Sequence, residues 1–146
     1  MFCLLANHCD ASEDKILKLL IENRSCNGCN LSKLNLGNYK LFKVDLSGAD
    51  LSESYLVNVD LGNANLSNSN LSNTYMNGAN LSEATLVKTN LSGAELELAD
   101  FSQALFVNVN LIEAYLLHAS ISEDQLNNAR LCKTVLPDAS ISYRDC

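Results

Sequence analysis

From Leu31 to Ile141 every fifth residue is large and apolar, twenty-three in succession, and all are leucine except Met76, Phe101, Phe106, Ile121 and Ile141. A period of five fits neither regular element. At about 100° per residue a helix carries every fifth side chain off its predecessor's face, and an odd step along a strand alternates sides. Burying the whole series requires the backbone to bend within each unit, so that every fifth side chain meets a common axis. The pattern therefore predicts a solenoid. The residue two places earlier is nearly always small: Ala49, Ala64, Ala79, Ala84, Ala94, Ala99, Ala104, Ala114, Ala119, Ala129 and Ala139, with Ser54, Ser69, Thr74 and Thr89 between them. One bulky and one small inward residue per bend fills a narrow tube at the density of a protein interior. The interior reads as a core and not as a pocket.

The outward positions give the number of bends per turn, because neighbours on one face of a stack share character. At a spacing of twenty the residue before the central leucine reads Asn30, Asp50, Asn70, Asn90, Asn110 in one column. The next column reads Asn35, Tyr55, Tyr75, Glu95, Tyr115, Val135. Four bends per turn give five to six coils between Leu31 and Ile141, and a rod about 25 Å long at the usual strand spacing.

Units such as Ala49-Asp50-Leu51-Ser52-Glu53, Ala64-Asn65-Leu66-Ser67-Asn68 and Ala79-Asn80-Leu81-Ser82-Glu83 closely resemble the pentapeptide-repeat family, over about three quarters of the chain. The resemblance implies an all-β fold, a right-handed quadrilateral β-helix with a ladder of leucine or phenylalanine inside. It agrees with the four-sided count, and it alone supplies the handedness. Lys40, Leu105 and Gln125 before the central residue, and Asp124 at the small position, depart from the pattern and mark places where the turn differs.

An open solenoid end exposes apolar side chains and unpaired backbone, so both ends need covers. Residues 1–30 precede the repeats. Within them Ser12 is placed to cap a helix over residues 12–23, with Glu13 and Asp14 in its first turn and Ile16, Leu17, Leu19, Leu20 and Ile21 as an apolar stripe. This helix reads as a lid. The repeats are expected over residues 31–146. Ser122 followed by Gln125 is a capping-box pattern, so residues 122–130 form either a short helix or a bulge in a continuing coil. The five-residue phase resumes at Leu131, opening a closing segment over 131–146.

Composition adds looser bounds. The 146 residues are 47% hydrophobic, with one Pro, no Trp and a formal charge of −7, which suits one soluble domain. No apolar run approaches the roughly 20 residues of a membrane span, and Met1 to Cys9 lacks the basic start of a secretion signal. The six cysteines avoid the middle of the chain: Cys3, Cys9, Cys26, Cys29, Cys132 and Cys146. One near-complete coil would bring Cys132 and Cys146 together, and a disulfide there would contribute up to about 3 kcal/mol. Cys26 and Cys29 read as a disulfide clasp or as buried thiols. A single CxxC without two further ligands does not make a zinc site, and His8 stands at no familiar spacing from it. A thioredoxin-like role lacks the flanking strand and helix. The segment around Cys26-Asn27-Gly28-Cys29 and the closing stretch from Leu131-Cys132 to Arg144-Asp145-Cys146 resemble the ends of cyanobacterial and plastid members of the family. Several of those are exported, which with the paired cysteines implies the periplasm or thylakoid lumen over the cytoplasm.

Catalysis would need a nucleophile beside a base or paired acids in a cleft, and His8 and His118 have no visible partner. The serines after the central leucine, such as Ser52, Ser67 and Ser82, are explained by turns. There is no glycine-rich phosphate loop and no basic face, so no cofactor, small-molecule substrate or nucleic acid is expected, and the chain reads as a non-enzymatic structural or protein-binding module. Some members of the family mimic DNA and occupy DNA gyrase. Leu31 to Ile141 carries twelve acids against six bases, a net −6, whereas duplex DNA about 25 Å long carries about 15 negative charges. A DNA-mimic ligand is therefore the alternative reading. Two outward columns are the candidate interaction faces: Tyr55, Tyr75 and Tyr115 with Val57 and Leu117, and Val87 with Leu105 and Val107. Either set could instead pair only with its own cross-strand neighbours.

Overall fold

The structure, a computed structural model, describes residues 13–146. Ser12, His8, Cys3 and Cys9 lie outside them. Helix α1, Glu13–Asn23, is followed directly by the winding. Ile16 and Leu20 turn into the same buried cluster as the first inward residues of the coil, Leu17 packs partly against it, and Leu19 and Ile21 are exposed. The five-residue apolar stripe expected of this helix is thus narrower: only residues four apart share its buried face.

Parallel bridges join residues twenty apart from Ser25 with Asp45 through to Tyr115 with Val135, on all four sides of the winding. The longer pairings belong to the same ladder: β1, Thr85–Val87, lies parallel to β2, Leu105–Val107, and β3, Val109–Asn110, lies parallel to β4, Ala129–Arg130. Each side contributes little strand, and each corner is tight. In a typical unit the N–H of the small residue donates back to the central leucine carbonyl, as Ala49 does to Leu46 at 3.0 Å. The residue just before the small position has positive φ: Asn58 at 55°, Asn63 at 58°, Gly78 at 68°, Gly93 at 65°. That is the third position of a type II turn, where glycine or asparagine fits with least strain. Repeating this corner every five residues is what turns all the leucines inward.

The residue before the leucine supports the corner from outside. Its side-chain oxygen accepts from the backbone N–H two residues on, as Asp50 does from Ser52 at 3.0 Å and Asn65 from Ser67 at 3.1 Å. Its amide also reaches the coil below: Asn70, Asn90 and Asn110 donate in turn to Asp50, Asn70 and Asn90 at 3.0 to 3.1 Å. Asparagine can do both at once because it carries an acceptor and a donor.

Leu31 through Leu116 are buried without exception at five-residue steps, and Phe101 meets Phe106 edge to face at 5.4 Å. The polar inward residues are satisfied. Ser54, Ser69 and Thr74 donate to Leu51, Leu66 and Leu71 carbonyls at 2.6 to 2.8 Å.

The winding differs from the sequence expectation at both ends. It begins at Ser25, not at residue 31, because Cys26 occupies a bulky inward position and Cys29 a small one. At the far end the five-residue ladder does not run inward as far as Ile141. Leu126 lies on helix α2, Glu123–Asn127, Asp124 is exposed on the same helix, and Ile121 is only partly buried. Leu131 returns to the core, but Ala139 is exposed and Ile141 is 51% exposed. The reason is that the chain reverses after Leu136: β5, Thr134–Val135, pairs antiparallel with β6, Ile141–Ser142. The helix α2 carries a complete capping box, Ser122 and Gln125 each bonding the other's backbone.

Candidate interaction face

Tyr55, Tyr75 and Tyr115 stand outward on one side of the winding, at 46%, 47% and 37% exposure. The bridges run Asn35, Tyr55, Tyr75, Glu95, Tyr115, Val135 in that order. Tyr55 and Tyr75 are neighbours, their ring centroids 6.4 Å apart and tilted by 38°. Tyr115 is separated from them by Glu95. The column is therefore one tyrosine pair and one single tyrosine, bracketing an acidic residue. Tyr55 lies down over Gly37, where an added Cβ would stand 2.8 Å from the ring. Glycine at 37 is what lets this ring lie flat.

Two residues further along each side the neighbouring column holds Val57, Asn77, Glu97 and Leu117, with Val57 and Leu117 half-buried. Asn77 ties the two columns together, accepting from the Glu97 N–H at 3.1 Å and donating to Glu95 at 3.4 Å. Among the described residues neither Glu95 nor Glu97 has a cationic partner, while Lys33 pairs with Glu53 and Lys133 with Glu113 at the corners. Leu98, at the adjacent corner, is 63% exposed and has a φ of 60°. The leucine in this left-handed position went unremarked in the sequence because it keeps the five-residue phase of a corner.

The second candidate column is more compact. Val87 is half-buried between coils, whereas Leu105 and Val107, one coil on, are 54% and 37% exposed on either side of inward Phe106. The two columns lie on different sides of the winding, and the structure does not bring them together into one site.

Cys26 and Cys29 are joined by a disulfide in the first coil, both sulfurs inside the tube wall. Cys132 and Cys146 are joined at the end of the chain, closing the reversed segment. Asp145 reinforces that closure: its carboxylate accepts from the Leu131 N–H at 2.8 Å and from Arg144. Those bonds, the Leu131 N–H foremost, hold the Asp145 carboxyl below the ordinary carboxylate range. Arg144 also donates to the Ala129 carbonyl, so the terminal residues are tied to the wall by both backbone and side chain.

His118 is exposed at a corner, with φ 59°. Among the described residues no cluster of His, Cys, Asp or Glu is grouped to hold a metal, and no helix is long and apolar enough to cross a membrane.

The repeats account for the winding between Ser25 and Leu131. A family model described as pentapeptide repeats matches in eight copies, over residues 25–56, 54–93 and 94–131. The chain belongs to the pentapeptide-repeat family. Its winding is accordingly the right-handed β-helix of that family, whose members are generally structural or interaction modules. No curated protein matches the sequence. Among solved structures the chain is similar to HetL from the cyanobacterium Nostoc, a pentapeptide-repeat protein involved in regulating heterocyst differentiation, at 27% identity and a TM-score of 0.49. That match covers 89% of this chain and 62% of HetL, so the chain spans less than two thirds of that protein's length. Rfr23 from the cyanobacterium Cyanothece is 27% identical over 88% of this chain and 97% of its own, with a TM-score of 0.43. A pentapeptide-repeat protein of the Arabidopsis thaliana thylakoid lumen is 24% identical over 68% and 72%, with a TM-score of 0.36.

Proposed function

We propose that this pentapeptide-repeat protein is a non-enzymatic protein-binding rod of five to six coils, closed at its first coil by α1, whose binding surface is the tyrosine face. The observation that carries this is the exposure of Tyr55, Tyr75 and Tyr115 beside two acids without a cationic partner among the described residues. Tyrosine offers large contact area at small conformational cost, and aromatic residues are enriched in interface cores. Glu95 and Glu97 between the rings favour a partner that presents a lysine or arginine there, within reach of the ring faces. The interior supports no competing role, since it is filled by leucine, phenylalanine and small residues. The two disulfides support an oxidising compartment, the periplasm or thylakoid lumen.

Replacing both Tyr75 and Tyr115 by serine tests the reading. Neither ring is part of the inward core, so the circular dichroism and melting temperature should stay near those of the parent. Affinity capture from the native organism, read by mass spectrometry, should lose its specific partner with the double variant. Equal capture by parent and variant would rule the face out.

A further inference from the structure

We propose that the outer edge of β2, Leu105–Val107, is a docking edge that accepts a short extended segment of a partner protein as one further rung of the ladder. On this side of the tube β2 is the last strand, because the following stretch forms α2 instead of another strand. One coil earlier the ladder is complete: the Glu83 N–H donates to Ser102 and the Lys88 N–H to Val107, both at 2.8 Å. Among the described residues the corresponding N–H groups of Gln103, Phe106 and Asn108 reach no acceptor. They are the donors that a further coil would have used. Pairing resumes only at Val109 with Ala129.

The groups around this gap define what fits it. The Ala104 carbonyl, which a regular further coil would engage through backbone, already accepts from the Gln125 side chain at 2.8 Å, as does the Phe101 carbonyl at 2.7 Å. The open groups of this edge are thus the Phe106 and Asn108 N–H groups and the Phe106 carbonyl, which receives no donor among the described residues. An incoming strand lying parallel to β2 would offer two carbonyls, two residues apart, to Phe106 and Asn108. Its outward side chains would stack on Leu105 and Val107, which themselves follow Thr85 and Val87 in the ladder. Its middle side chain would turn toward the tube, where Gln125 and partly buried Leu126 already sit, and so must be small. The partner is thus an extended segment reading apolar, small, apolar, bound by addition to a strand edge. Unlike natural edges protected by charge, this one presents a leucine and a valine at 54% and 37% exposure. The proposal does not depend on the tyrosine face, which is a separate column.

Amide hydrogen exchange by NMR on the intact protein tests it, with a capped Ala-Val-Gly-Val-Lys peptide at millimolar concentration as the probe. In the free protein the Phe106 and Asn108 amides should exchange at least about tenfold faster than those of Leu86 and Lys88, as expected of an open edge beside a paired one. The peptide should slow those two amides at least about threefold. The effect should persist in the Tyr75→Ser/Tyr115→Ser variant and vanish in Leu105→Lys/Val107→Lys, whose unchanged circular dichroism would show that the tube is intact. Equal protection of Phe106 and Leu86 without peptide would overturn the proposal. So would unchanged exchange at saturating peptide, or protection that survives the lysine pair.

Discussion

Leu98 occupies a corner at φ 60° with 63% of its surface in water, the same backbone position that asparagine or glycine fills at Asn58 and Gly78. A branched apolar side chain gains nothing there and is strained by the left-handed conformation, which asparagine tolerates better. Leu98→Asn should therefore raise stability by about 0.5–1 kcal/mol, read as a melting temperature higher by about 2 °C. At this scale the sequence was legible wherever one residue does one job. The leucines and the alanines two places before them are inward as their phase requires. Cys26 and Cys29 stand in that same phase, but a cysteine is read first for its chemistry, so the winding's start at Ser25 was missed. The corner conformation was also readable from the run of Asn and Gly at every fifth position, among them Asn58, Asn63, Asn68, Asn73 and Gly78. It was hidden by the lysines and glutamates that share the column, since Lys33 and Glu53 adopt the same positive φ.

The elements that cover the ends obey local rules that periodicity does not reach. Helix α2 keeps the five-residue count between Ile121 and Leu131, so its Leu126 falls in phase by length alone, while its capping box identifies it as helix. Ile141 is in phase too, yet the antiparallel turn after Leu136 carries it outward. Phase alone could not distinguish a continuing coil from a detour of equal length. The reversed segment is held by Cys132–Cys146, by the Asp145 carboxylate on the Leu131 N–H, and by Arg144. Closing that loop restricts the unfolded chain, so Cys132→Ser/Cys146→Ser should lower stability by about 3 kcal/mol in denaturant titration. Loss of protection should be largest at Thr134 and Val135, the strand that the segment covers. A variant as stable as the parent would show that the side-chain contacts of Asp145 and Arg144 hold the end without the bond.

Across the whole molecule the interior and the exterior divide the work. A dry centre of aliphatic and aromatic side chains fixes the shape, and the four outer sides carry whatever specificity the rod has. Those sides are not a close electrostatic copy of DNA. Their net −6 from Leu31 to Ile141 is less than half the roughly 15 charges of a duplex of similar length. Excess protein should accordingly leave DNA gyrase supercoiling unchanged in a gel assay, and strong inhibition would move the DNA-mimic reading ahead of the tyrosine face. The tyrosine face and the β2 edge both depend on residues twenty apart lying side by side, since only that stacking sets Tyr55 beside Tyr75 and Val87 beside Val107. The most direct test is the set of NOEs between backbone protons on labelled protein in solution. Contacts should join each residue to the one twenty places on, including Asp50 to Asn70 and Tyr55 to Tyr75, with the inward leucine methyl groups contacting one another, Met76, Phe101, Phe106 and the small inward residues. Sequential helical NOEs through residues 31–116, or inter-strand contacts at spacings outside nineteen to twenty-one residues, would contradict this stacking.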